Sequence, residues 1–272
     1  MKTKRNHAFT LIELLVVITI IAVLAGLAVP IYNIVQTTGN QTKGANNARQ
    51  IIMAMKLFAK EHSSQYPDTV ANPQTGAVAR NANEAFRLMF QEKIVQDERI
   101  FGCPAGLNPD LNIGQGPDYG SALMPGENHW AMTGGQTDAA PGNMPLVFEN
   151  PATPSWPPLW NAEVAGQIAP GRTWPGGKII IGRNDGSVAV EVLKGSGRMV
   201  SPKAMAGGLD LYTQASQGVP QRVLPVVYAN ERPSPRDIID APPLALNGAP
   251  VAPPVPAVPS ADGSLPPSTL GQ

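Results

Sequence analysis

Apolar side chains fill almost every position from Leu14 to Ile31, interrupted only by Thr19, Gly26 and Pro30. As a helix this run spans about 27 Å, close to the hydrocarbon thickness of a bilayer. Pro30 lacks an N–H and crowds the preceding turn, which predicts a bend there. The stretch "TTGNQTKGANN" is a weak helix former. From Ala48 onward a helical period returns, with Ala48, Ile51, Ile52, Met55 and Phe58 at spacings of three and four. The pattern predicts one long helix over 9–64, its membrane half at 14–31 and its outer half amphipathic, packed on a globular domain by that stripe. "QYPD" ends it.

A second helix is predicted in "NANEAFRLMFQEKIV", with Asn83 as its cap. "DERIFGCPAG" reads as an extended segment ending at Pro104. Strands are predicted in "GENHWAMTGG" and "MPLVFENP". A hairpin is predicted in "GGKIIIGRNDGSVAVEVLK", turning at Arg183-Asn184-Asp185-Gly186 with Val188, Val190 and Val192 on one face. These elements make 65–194 a globular α+β domain. Residues 195–240 carry no sustained period and are expected to be an irregular extension. Residues 241–272, with nine prolines, are expected to be disordered or polyproline-like. The fold class that results is α+β: a long N-terminal helix, transmembrane then amphipathic, on a small antiparallel sheet, followed by a Pro-rich tail.

Composition narrows the function. The 20 basic and 20 acidic residues balance, which argues against a broad nucleic-acid surface. With 29 Pro and 27 Gly in 272 residues, much of the chain is loop or tail. Cys103 is the only cysteine, so no intramolecular disulfide forms, and it reads as a small buried residue or an incidental thiol. The histidines, His7, His62 and His129, show no metal-ligand spacing. No nucleophile elbow or phosphate-binding loop is present, so an enzyme is not expected and no cofactor is implied. Asn184 and Asp185 are a calcium candidate against the plainer reading of a tight turn.

The chemistry that does stand out is Glu13, an acid at the mouth of the apolar run. Lys2, Lys4 and Arg5 precede it and orient the N-terminus toward the cytoplasm. A cleaved signal peptide has a shorter apolar run. A plain anchor leaves Glu13 unexplained, since an acid at a bilayer's centre costs roughly 3 kcal/mol. "AFTLIELLVVITIIAVLAGLAVPIY" resembles the N-terminal segment of type IV pilins and type II secretion pseudopilins: a short basic leader, a cut before Phe, Glu as the fifth residue after the cut, then an apolar helix. The residue before the cut is commonly Gly in that family and is Ala8 here.

The resemblance implies a leader at 1–8, cleavage by prepilin peptidase between Ala8 and Phe9, and methylation of the new Phe9 amine. It further implies a filament in which Glu13 of one subunit meets the Phe9 amine of another, a contact favoured because an isolated charge in an apolar bundle is costly. Ala22, Ala25, Gly26 and Ala28 offer small residues for close helix packing. The expected partners are therefore other pilin-like subunits, the peptidase and the membrane. The alternative is a membrane-anchored envelope protein that binds a ligand or surface through its loop-rich domain and never polymerises.

Overall fold

The computed structural model describes residues 10–104, 106–195, 197, 200–202 and 208–229, and only the backbone of 27–30. The leader, Phe9 and the Pro-rich tail lie outside the described residues.

The first helix, α1, runs from Leu11 to Glu61 without interruption. At about 1.5 Å per residue its 51 residues extend roughly 77 Å. The weak polar middle is helical throughout, its threonine hydroxyls turned back onto the helix: Thr37 Oγ1 donates to Asn33 O and Thr42 Oγ1 to Thr38 O, each at 2.9 Å. The helical path also continues through Pro30. The end falls at Glu61, three residues before the expected boundary, because Ser63 and Ser64 both take positive φ. Tyr66, fully buried, then donates its hydroxyl to Asn184 Oδ1 at 2.6 Å and ties the helix exit to the hairpin turn.

The stripe Ala48, Ile51, Ile52, Met55 and Phe58 is buried, as its period predicts. It packs on a five-stranded antiparallel sheet ordered β4-β3-β2-β1-β5. The strands are β1 (Trp130–Gly134), β2 (Pro145–Glu149), β3 (Lys178–Arg183), β4 (Val188–Val192) and β5 (Arg222–Leu224). Two glycines permit the close approach of helix and sheet. A Cβ on Gly44 of α1 would stand 2.8 Å from Ile180 Cδ1, and one on Gly182 of β3 would overlap Ile52 Cδ1.

The sheet is covered on both faces, which explains why "KIIIG" is continuously apolar rather than alternating. Ile180, Trp130, Met132 and Leu224 face the core shared with α1 and with α2 (Ala82–Gln91). Ile179, Ile181, Ala131, Phe148 and Val223 face a second cluster with Trp160, Leu211 and Tyr212. Around Tyr212 the rings of Phe148 and Trp156 approach edge-on, with centroids 5.4 and 5.0 Å away.

Three sequence readings are corrected here. The cap of α2 is Asn81, whose side chain accepts from Glu84 N, and not Asn83. Asn83 is buried in the first turn, donating to Leu123 O and accepting from Asn128 Nδ2 and Val227 N. The segment expected to be extended after Asp97 opens with a 3-10 turn, Glu98–Phe101, capped by Asp97. The expected irregular extension at 195–240 holds two ordered elements, the short helix α3 (Leu211–Ala215) and β5, which pairs with β1. Three-residue β5 is too short to leave a period of its own, and partner β1 supplies its order.

Candidate functional site: the N-terminal helix and a buried charged cluster

Thr10 and Glu13 form a reciprocal cap at the start of α1. Glu13 N donates to Thr10 Oγ1 at 3.3 Å, while Thr10 N and Oγ1 donate to Glu13 Oε2 at 2.8 and 2.7 Å. The carboxylate is thus held against the four free N–H groups of the helix start, where a negative charge is favoured. Glu13 Oε1 has no hydrogen bond among the described residues, and the side chain is exposed.

From Leu11 to Leu24 the large apolar side chains are about half exposed or more, Leu11 reaching 81 %. None of the best membrane-length window is buried within the chain, and α1 is long and apolar enough to cross a membrane. Thr19 Oγ1 donates to Leu15 O at 2.8 Å, so this hydroxyl needs no water. So large a continuous apolar surface requires a cover, lipid or other protein.

The other sequence candidates fall elsewhere. Ala8 and Phe9 lie outside the described residues. Pro30 sits inside the helical path with its side chain undescribed. Asn184 and Asp185 are in the β3–β4 turn: Asn184 accepts from Tyr66 and donates to Asp138 O and Ala140 O at 3.3 and 2.7 Å, and Asp185 Oδ1 accepts from Ser187 N at 2.8 Å.

A grouping that spacing did not reveal sits between the sheet and the loops. Cys103, His129 and Glu149 are each buried, with one ligand-type atom apiece mutually within 4.8 Å. His129 therefore has a cysteine neighbour in space that the sequence did not suggest. Glu149 closes β2 and points inward. Its Oε1 accepts from His129 Nε2 at 3.0 Å, Arg172 Nη2 at 3.1 Å and Trp174 Nε1 at 2.9 Å, and its Oε2 from Ile180 N at 2.9 Å. Arg172 also stacks 4.6 Å over the Trp174 ring and reaches within 4.0 Å of Cys103 Sγ.

Arg172 carries a permanent positive charge against Glu149, and His129 adds a second when protonated. Burial alone would lower the basicity of His129. The Cys103 sulfur and Glu149 carboxylate outweigh it and raise its pKa to about 9. The cluster joins four separate chain segments and works as a structural tie. No sequence signal marked it, because its members stand 20 or more residues apart in loops and strand ends.

A helix of membrane length with an acid near its start thus packs, through its outer half, on a small antiparallel sheet. Residues 3–29 match the prokaryotic N-terminal methylation motif. Over 154 residues the chain is 30% identical to a type IV major fimbrial protein, FimA, of Dichelobacter nodosus, covering 52% of this chain and 93% of that protein. A 64-residue match to the type IV major pilin protein PilA of Myxococcus xanthus is 38% identical, covering 24% of this chain and 29% of that one. No solved structure matches the chain significantly. The chain belongs to the type IV pilin family. It is a pilin-like subunit, and its relatives are structural fibre proteins rather than enzymes.

Proposed function

We propose that the chain is the repeating unit of a type IV pilus-like fibre, rather than of a secretion pseudopilus. In this reading it inserts with its globular domain outside the cytoplasm, is cut between Ala8 and Phe9 by prepilin peptidase, and acquires a methylated amine on Phe9. Subunits then leave the membrane by exchanging lipid around α1 for the α1 helices of neighbours. Glu13 guides that exchange. Its carboxylate pairs with the Phe9 amine of an adjacent subunit, and this sets the axial register, since any other stagger leaves both charges without partners in an apolar bundle. Pro30, which cannot donate to the carbonyl of Gly26, gives the helix a place to bend as subunits pack.

The observation that carries the reading is the exposed apolar face of α1 bearing a single carboxylate at its start. The choice of a pilus rests on the relatives named as type IV major fimbrial and pilin proteins.

The test is Glu13→Ala in the native host, comparing the membrane fraction with fibres sheared from the surface. The expected result is normal membrane content with sheared fibre reduced at least tenfold. Wild-type fibre yield would refute the register role. Absence of fibres from the parent strain, with the protein confined to the membrane, would favour the non-polymerising anchor.

A further inference from the structure

A second group, of acidic side chains, joins the start of the 3-10 turn to the long loop before β1. Glu98, Asp110 and Glu127 each present a carboxylate oxygen, and the three oxygens lie within 4.8 Å of one another. Like charges at that spacing repel, so the fold must compensate them. Protein cations do not: among the described residues no Lys, Arg or His forms an ion pair with any of the three. Arg99 is engaged with Asp97 at 3.2 Å. Arg87 faces the same region and feels Glu98 and Glu127 electrostatically, but its Nε donates to Ala122 O at 2.8 Å.

Backbone donors hold each carboxylate in place: Leu123 N to Glu98 Oε1 at 2.7 Å, Met124 N to Glu127 Oε2 at 2.6 Å and Asn112 N to Asp110 Oδ1 at 2.7 Å. One oxygen is left over where it can least be left. Glu98 has no exposed surface, and its Oε2 has no hydrogen-bond partner. A buried carboxylate oxygen without a partner is costly, and proteins resolve such a site with a proton or a cation.

We propose that Glu98, Asp110 and Glu127 bind one calcium ion that pins the 104–128 loop onto the globular domain. Oxygen donors alone select a hard cation. Ligands at 2.3–2.6 Å from a shared calcium ion lie at most about 5 Å apart, which the three oxygens satisfy. Calcium also accepts six to eight oxygens in flexible geometry, which suits a site assembled from irregular loop.

The experiment titrates calcium chloride into the full-length protein in detergent, after chelation, with calorimetry for binding and tryptophan fluorescence for thermal unfolding. One site per chain is expected, retained in a tenfold excess of magnesium. At a hundred times its Kd, calcium should raise the unfolding midpoint by several degrees. Asp110→Asn and Glu127→Gln, both at side chains with solvent access, should weaken calcium binding at least tenfold. Each should also be more stable than wild type in chelator and less stable in calcium. Absence of saturable binding, unchanged affinity in both variants, or a midpoint that responds to acidification but not to calcium overturns the proposal. The last result would assign the compensation to a shared proton.

Discussion

Glu149→Gln keeps the shape of the side chain that ties the sheet to its loops and removes only its charge and one acceptor. The amide nitrogen must replace one oxygen. At Oε1 it would confront three donors, His129, Arg172 and Trp174; at Oε2 it confronts only Ile180 N–H. The second arrangement is cheaper and still leaves a buried backbone N–H unsatisfied, roughly 1–3 kcal/mol. Arg172 then keeps its charge at 3% side-chain exposure while its ion pair with Glu149 becomes a neutral hydrogen bond, a weakening bounded above by the roughly 3–5 kcal/mol of a broken buried pair. The two effects overlap, so the expected loss is about 4 kcal/mol.

The assay is urea unfolding and, separately, thermal unfolding of the full-length protein in detergent, each followed by the fluorescence of buried Trp130, Trp160 and Trp174. At about 2–4 °C per kcal/mol for a domain of this size, the thermal midpoint should fall by roughly 10 °C. A loss below about 1 kcal/mol would refute the assignment of this cluster as a tie. A paired change, Glu149→Leu with Arg172→Met, should cost less than Glu149→Leu alone, because the guanidinium that Glu149 balances is removed with it. His129 adds a pH signature. Its folded pKa, about 9, lies above the unfolded 6.5, so its contribution is complete below pH 6.5 and disappears as pH rises through 9. In Glu149→Gln that alkaline decline should begin at lower pH.

Gly182→Ala should destabilise by about 1–3 kcal/mol in the same urea assay, because its Cβ would overlap Ile52 Cδ1, a side chain with no exposed surface. Adding Ile52→Val, which deletes that methyl, should recover part of the loss, and no recovery would count against the close-approach explanation. Asp68, 1% exposed, has its carboxyl pushed up to about 6 by burial, which outweighs the Gly135 N–H and Arg222. Its folded form holds a proton that the unfolded chain releases, so wild-type stability should fall as pH rises from 4 to 6. Relative to Asp68→Asn the difference should be about 3 kcal/mol, and parallel pH curves would refute it.

What could be read from residues alone was local. The membrane-length run, Glu13 at its mouth, the stripe from Ala48 to Phe58 and the hairpin around Asn184 are each written in one contiguous segment, whose period or turn residues report its own geometry. The methylation-type segment was legible for the same reason: its chemistry is a fixed order of neighbours from Lys2 to Glu13.

Tertiary structure decided what depends on distant segments meeting. β5 is a strand only because β1 offers it hydrogen bonds, and Asn83 is a buried connector rather than a cap because Leu123 and Val227 come to it. The continuous "KIIIG" run takes its meaning from two covered faces. Cys103, His129, Glu149 and Arg172, like Glu98, Asp110 and Glu127, come from loops and element ends that carry no periodicity. Buried charge must find its partner in space, and chain order does not encode where that partner will be.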